Sequence, residues 1–240
     1  MQFQHIMRLP EISEFLHLPE RDVVELVKHE GLPAHMVGGE WRFHKDEVFR
    51  WLGHHHLPGI SEERWRDIER GQARRQASGP KDTVVSSCIP GGAIAVLLPS
   101  KTRASVVRDI VKLAEATGLL YDPANVSQAI IEREKQGSTA IAGGIAFPHP
   151  HEPVPYAVED TLVTVAVTAR GVPFGAPDGG LTDVFFTVVA SDISAHLHVL
   201  ARLSRMLLES DLADTLRECA SATEARTAIE QTEQAVASTL

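Results

Sequence analysis

Residues 133–153 read REKQGSTAIAGGIAFPHPHEP, and this stretch decides how the larger part of the chain is read. Gly143 and Gly144 permit a tight backbone approach, Ile145 to Phe147 supply apolar anchorage for a buried strand, and Pro148 has no N–H and so ends ladder pairing just before His149. Such an imidazole is held by rigid neighbours and is expected to face solvent. Neutral histidine near pH 7 is a good nitrogen nucleophile, able to take a group from one donor and pass it to an acceptor. Phosphoryl is the expected group. Without its context His149 would read as an ordinary surface residue; Arg133 lies sixteen positions upstream and an HLH cluster, His196 to His198, lies on a predicted helix downstream.

Around this stretch, strands and helices alternate from residue 83 onward, as a mixed α/β layer domain requires. AIAVLLPS (93–100) reads as a strand, TRASVVRDIVKLAEATG (102–118) as a helix stopped by glycine, and NVSQAIIEREKQG (125–137) as a helix whose end delivers Arg133. TLVTVAVTA (161–169) and DVFFTVVAS (183–191) read as strands, the second apolar enough to be central. SAHLHVLARLSRMLLES (194–210) is an amphipathic helix expected to carry His196 to the same end of the sheet as His149, and TEARTAIEQTEQAVAS (223–238) completes the layer. There is no P-loop, dinucleotide fingerprint or clustered acidic metal site, so no cofactor is expected.

The run EREKQGSTAIAGGIAFPH (132–149), together with HLHVLARLSRMLLES (196–210), closely resembles the enzyme IIA domain of the fructose, mannitol and nitrogen-type phosphotransferase systems, over roughly residues 84 to 235. The resemblance implies that His149 accepts a phosphoryl group from a small histidine phosphocarrier, and that Arg133 and His196 flank it. The chemistry suits those residue types: phosphorylated imidazole carries roughly two negative charges, which a guanidinium stabilises through directed, charge-assisted hydrogen bonds. His196 would donate to a phosphate oxygen or help fix the His149 tautomer. Without the resemblance, Arg133 would read as an exposed member of the charged helix end and His196 as an interfacial helix residue. The family commonly has glycine after the active histidine, whereas Pro150 stands here and removes a backbone donor; slower or partner-restricted transfer is the expected consequence. His151 is the lesser candidate acceptor.

Residues 1–57 form a unit of their own. Leu9, Ile12, Phe15 and Leu16 make one helical stripe and Val23, Val24, Leu26 and Val27 a second, with Pro19 suited to the first position of that second helix. GLPAHMVGGEWRF (31–43) reads as a short hairpin with Gly38 and Gly39 at its tip, and HKDEVFRWL (44–52) as a third helix. This order resembles the excisionase and MerR-like winged helix-turn-helix family, with VGGEWRF as the wing. The resemblance implies DNA contacts from Arg21, Lys28 and Arg42. Charge works against it: the stretch holds six Lys or Arg against nine Asp or Glu, with Glu20, Asp22 and Glu25 on the recognition helix itself. Eight of the twelve histidines also lie here, and their partial protonation would reduce the imbalance. A protein-docking module built on the same fold is the other reading. The triplet His54–His56 reads as a solvated helix end before it reads as a metal site, because no second ligand group accompanies it. Residues 58–82 read as a helical linker whose arginines, Arg64, Arg66, Arg70, Arg74 and Arg75, mark a solvated face or added phosphate contacts.

Composition bounds the function. The 240 residues, 43% hydrophobic, are enough for one sizeable core and a smaller one, and a net charge of −9 argues against broad adhesion to nucleic acid or anionic lipid. Cys88 and Cys219 have no metal spacing and read as reduced thiols. No run has the length of a membrane span and the start MQFQHIMRLPE has no signal core, so a cytoplasmic protein is expected. Three functions follow. The favoured one is a regulator in which phosphorylation of His149 alters what the N-terminal domain binds, a phosphoryl carrier more than a stand-alone catalyst. The second is a transport component passing phosphoryl to a IIB domain and on to a sugar. The third is a degenerate, non-phosphorylated interaction module, motivated by Pro150.

Overall fold

The computed structural model describes residues 6–16, 18–52, 84–154 and 156–238, and its contacts divide the chain into two units, Met1–Asp82 and Thr83–Leu240. The triplet His54–His56 and the linker arginines lie outside the described residues. The first unit runs β1 (Ile6–Arg8), α1 (Leu9–Leu16), α2 (Glu20–Glu25), a π turn (Leu26–Glu30), β2 (His35–Val37), β3 (Glu40–His44) and α3 (Lys45–Leu52). The three strands form an antiparallel sheet in the order β1-β3-β2, with the expected turn at Gly38 and Gly39, both at positive φ. Ile12, Leu16, Val23, Leu32, Phe43, Val48, Trp51 and Leu52 close its core, and the Trp51 indole donates to the Glu30 carbonyl at 3.0 Å. Two details differ from the sequence reading. Strand β1 was not anticipated, since three residues carry too little periodicity to show. Pro19 caps the second helix from outside, with φ −56° and ψ 144°, and its carbonyl accepts the first helical bonds.

The second unit is a five-stranded mixed sheet covered on both faces. Its elements are β4 (Ile94–Leu98), α4 (Arg103–Glu115), α5 (Pro123–Gln136), β5 (Ala140–Ile141), β6 (Ile145–Ala146), β7 (Leu162–Val172), β8 (Thr182–Val189), α6 (Ile193–Leu208), α7 (Leu212–Glu218) and α8 (Ala222–Ala237). The strand order is β4-β7-β8-β6-β5, with β4–β7 and β6–β8 parallel and the other pairs antiparallel. Alternation along each strand feeds two cores. Val163, Val165, Val167, Val184, Phe186 and Val188 face α6, α7 and α8, while Leu162, Ala166, Phe185 and Val189 face α4 and α5. Strand β8 is central and therefore apolar on both faces, as DVFFTVVAS suggested. Helix α7 and a 3₁₀ turn over Val85–Cys88 were not read from sequence; the turn is held by buried Glu233, which accepts the Val85 and Ser86 amides at 2.5 and 3.0 Å.

This topology fixes one end of the sheet as the meeting place of three segments. Strands β6 and β8 are parallel neighbours, so their C-terminal ends emerge side by side, His149 shortly after β6 and helix α6 shortly after β8. Strand β5 is antiparallel to β6, so the end of α5 enters at that same edge.

Candidate functional site

The strand carrying His149 is built from a hairpin turn outward. Gly143 and Gly144 have φ of 87° and 79°, a conformation that L side chains rarely adopt. A Cβ on Gly144 would lie 2.7 Å from the Arg217 Nη2 and 3.2 Å from the Leu181 carbonyl, so this glycine also serves a close approach. Arg217 reaches the turn from α7: it donates to the Gly143 carbonyl at 2.6 Å and forks onto Asp183 of β8 at 2.8 to 3.1 Å. Downstream, pairing continues past the two residues of β6. The Phe147 amide donates to the Thr139 carbonyl and the Pro148 carbonyl accepts from Val188, both at 3.2 Å. The chain is thus extended and gripped on both sides up to Pro148, after which His149 leaves the ladder.

His149, expected to face solvent, is half-buried. Its Nδ1 lies 2.6 Å from the Phe147 carbonyl. A carbonyl can only accept, so Nδ1 carries the proton and the lone pair is on Nε2. Burial pushes the imidazole pKa down to about 4; the Phe147 bond opposes this, and the positive potentials of His196, Arg133 and His151 reinforce it. At neutral pH the ring is an uncharged nucleophile.

The His196 ring lies 5.1 Å from that of His149, centroid to centroid, at an interplanar angle of 62°. Its helix is capped by Asp192, which accepts the Ala195 amide at 2.8 Å, and places His196 in the first turns with only 7% exposure. Burial lowers its pKa too. Arg133, in the last turn of α5, donates to the Gly137 carbonyl at 2.9 Å and lies close enough to act on the His149 charge. The three residues singled out in the sequence therefore converge. His151 is exposed, and Pro150 is buried beside the site. His198, two helical positions beyond His196, points to another side of α6 and is half-buried, its Nε2 enclosed and without a hydrogen-bond partner.

The family model described as the phosphoenolpyruvate-dependent sugar phosphotransferase system, EIIA 2, matches residues 89–232, which is more than half of the chain. The chain belongs to this EIIA family. Residues 6–56 match a helix-turn-helix domain. The nitrogen regulatory protein of Escherichia coli is 34% identical over 130 residues, covering 52% of this chain and 77% of that protein. The fructose-specific EIIA component of Haloferax volcanii is 29% identical over 141 residues, covering 58% of this chain and 90% of that one. Of the fructose-specific EIIABC component of Bacillus subtilis, this chain spans only 19%. Among solved structures, the nitrogen regulatory protein IIA-Ntr of Neisseria meningitidis superposes with a TM-score of 0.53 at 25% identity, covering 60% of this chain and 98% of that one. The enzyme IIA of a mannitol IIA–IIB complex from Escherichia coli shares the fold, with a TM-score of 0.52 over 59% of this chain and 96% of its own.

In the helix-turn-helix unit, the three expected DNA contacts separate. Arg21 is 84% exposed on α2, beside Asp22 at 3.0 Å, and Lys28 is exposed on the π turn, 3.7 Å from Glu25. Arg42 is different: its side chain is only 11% exposed and pairs with Glu40 at 3.0 Å, so it is turned into the domain and is not presented as a phosphate contact. Two residues of the EIIA domain were missed by sequence reading. Glu134 had a signal, because it falls in phase with buried Val126 and Ile130 on α5. Arg217 had none for its place at the turn, since apart from Asp214 on its own helix its partners lie 34 and 74 residues away. Among the described residues, no helix is long and apolar enough to cross a membrane.

Proposed function

We propose that the EIIA domain accepts a phosphoryl group on Nε2 of His149 from a histidine phosphocarrier, and that the chain uses this phosphorylation as a signal to the DNA-binding activity of its N-terminal domain. The single observation that supports the acceptor role best is the Nδ1 contact to the Phe147 carbonyl, which leaves the Nε2 lone pair free on an uncharged ring. In the step envisaged, that lone pair attacks phosphorus, the P–N bond to the carrier's phosphohistidine breaks, and the electron pair returns to the carrier's nitrogen. The Nδ1 proton stays on His149 and remains bound to Phe147. Arg133 then supplies charge-assisted donors to the phosphoryl oxygens, and His196 a further donor from its place 5.1 Å away, ring to ring. Both would act more strongly on the transferring group than on the resting enzyme.

Two further features favour the regulatory reading over transport. The helix-turn-helix match gives the chain a second domain suited to DNA, and several relatives bear the name nitrogen regulatory protein. The transport reading is supported by the fructose-specific relatives and by the fold shared with the mannitol enzyme IIA, which is seen in complex with a phosphorylated enzyme IIB. We place the chain in the cytoplasm, where a phosphoenolpyruvate-fed carrier operates.

Incubating the protein with phosphoenolpyruvate, enzyme I and a histidine phosphocarrier tests the reading. An acid-labile phosphoryl group is expected on the wild type and absent from His149→Ala. Full labelling of that variant would move the site, and no labelling of the wild type by any cognate carrier would favour the interaction module. A chase with IIB domains separates signal from transport, since rapid discharge to IIB belongs to transport alone.

A further inference from the structure

We propose that Glu134 is a positioning residue, whose buried carboxylate ties the helix end bearing Arg133 to the strand bearing His149 and thereby holds the His149 ring in its reactive tautomer. The inference rests on the phosphoryl-acceptor reading above for its consequence, though not for its geometry. Glu134 is 3% exposed, immediately after Arg133 in α5. A carboxylate is rarely buried without partners, and this one accepts from a single residue twice: from the Thr139 amide, at 3.2 Å to Oε1, and from the Thr139 hydroxyl. Arg103 and Arg133 add favourable charge, while burial draws the carboxyl pKa upward.

Thr139 is the link to the site. Its carbonyl accepts the Phe147 amide at 3.2 Å, and the Phe147 carbonyl accepts Nδ1 of His149 at 2.6 Å. Three successive contacts therefore run from Glu134 through Thr139 and Phe147 to the imidazole. Arg133 is bound into the same loop one residue earlier, through Gly137. Two consecutive residues of one helical turn thus hold the loop 137–139 from either side, one facing outward to the site and one inward to the core. Loosening the inner contact frees Thr139 and, through its bond to the Phe147 amide, the Phe147 carbonyl that fixes the ring, and with them the spacing between ring and guanidinium. Small displacements of this kind are costly to a transfer that demands alignment of the reacting atoms.

The test compares Glu134→Ala and Glu134→Gln with the wild type by two measurements: the initial rate of phosphoryl acceptance from a phosphorylated histidine carrier, and ¹⁵N NMR of the His149 ring. Glu134→Gln keeps an acceptor for the Thr139 amide and is expected to stay within about threefold of wild type, with the Nδ1–H tautomer retained. Glu134→Ala is expected to lose about 10- to 100-fold in rate, with the ring redistributed between tautomers. A residue that only packs would leave the tautomer unchanged. Should Glu134→Ala not fold, Thr139→Val, which removes the hydroxyl contact alone, takes its place with a smaller change in the same direction. A folded alanine variant with wild-type rate and an unaltered tautomer overturns the proposal. If the wild type accepts no phosphoryl yet the tautomer shifts in Glu134→Ala, the positioning role stands and the acceptor reading falls.

Discussion

His149 is reactive, on this reading, because its proton and its lone pair are assigned to fixed sides of the ring. With burial holding its pKa near 4, acceptance should be flat from about pH 8 to about pH 5.5 so far as His149 is concerned, a profile readable from initial rates of labelling. The same shift has a consequence for stability. The unfolded chain binds this proton below about pH 6.5, whereas the folded chain takes it up only near pH 4, so the folded state is penalised progressively as pH falls through that window. Urea midpoints should decline as pH falls from about 7 to about 4, and His149→Gln should flatten part of that decline. Arg133 makes a different kind of contribution. Arg133→Met is expected to reduce acceptance about 10- to 1000-fold with the fold intact, and Arg133→Lys to recover part of it, because an ammonium supplies the charge without the planar fork. Stopped-flow or quench measurements of the single-turnover rate distinguish these. The residues of the site were legible in the sequence to the extent that their chemistry is local: a histidine after a strand-ending proline shows itself. Glu134 was half-legible through its helical phase, and Arg217 was not legible at all.

Elements set where those residues meet. Helix α6 begins at Asp192, whose carboxylate accepts the Ala195 amide, and His196 sits one residue further on. Asp192→Ala is expected to cost about 1 kcal/mol of stability, measured by chemical denaturation, and to fray the turn that holds His196 beside His149. The hairpin turn before β6 is less forgiving. At Gly144 an added methyl would meet a backbone carbonyl and a guanidinium already committed to Asp183 and Gly143, at a φ of 79°. Gly144→Ala is expected to destabilise by about 1–3 kcal/mol, whereas Gly143→Ala, with the same strain but open space around its Cβ, should cost less. The elements themselves were mostly apparent from periodicity, as with the alternation of β7 and the amphipathic stripe of α6. Short ones were not. Strand β1, strand β5 and helix α7 each span too few residues for a period to emerge, and only their neighbours define them, whereas the short β6 showed itself through the glycines before it and the proline after it.

At the scale of the whole molecule, the question is what an acidic helix-turn-helix unit does with its exposed surface. Arg21 and Lys28 are available but each stands beside a carboxylate, so any DNA contact must compete with Asp22 or Glu25. Binding to promoter fragments is expected to weaken with salt, with a modest slope reflecting few phosphate contacts. Arg21→Ala and Lys28→Ala should each lower that slope by about 1, while Arg42→Ala should act chiefly on stability, since its side chain is enclosed. Phosphorylating His149 should shift the apparent DNA affinity under the regulatory reading, and His149→Ala should abolish that shift. Electrophoretic or anisotropy titrations at several salt concentrations report all three. Salt-independent behaviour would point instead to a protein partner.

The sequence alone determined the two-part organisation, the α/β class of the larger part and the candidate nucleophile proposed above, because hydrophobic period, turn residues and the GIAFPH segment act over a few neighbours. Tertiary structure decided the rest. Parallel pairing of β6 with β8 brings His196 to His149 from 47 residues downstream, the buried Glu134 and Thr139 join arginine to histidine, and the packing of β3 turns Arg42 inward. Each of these depends on which surfaces meet across the sheet or core, and burial, proton placement and electrostatic field exist only once they have met.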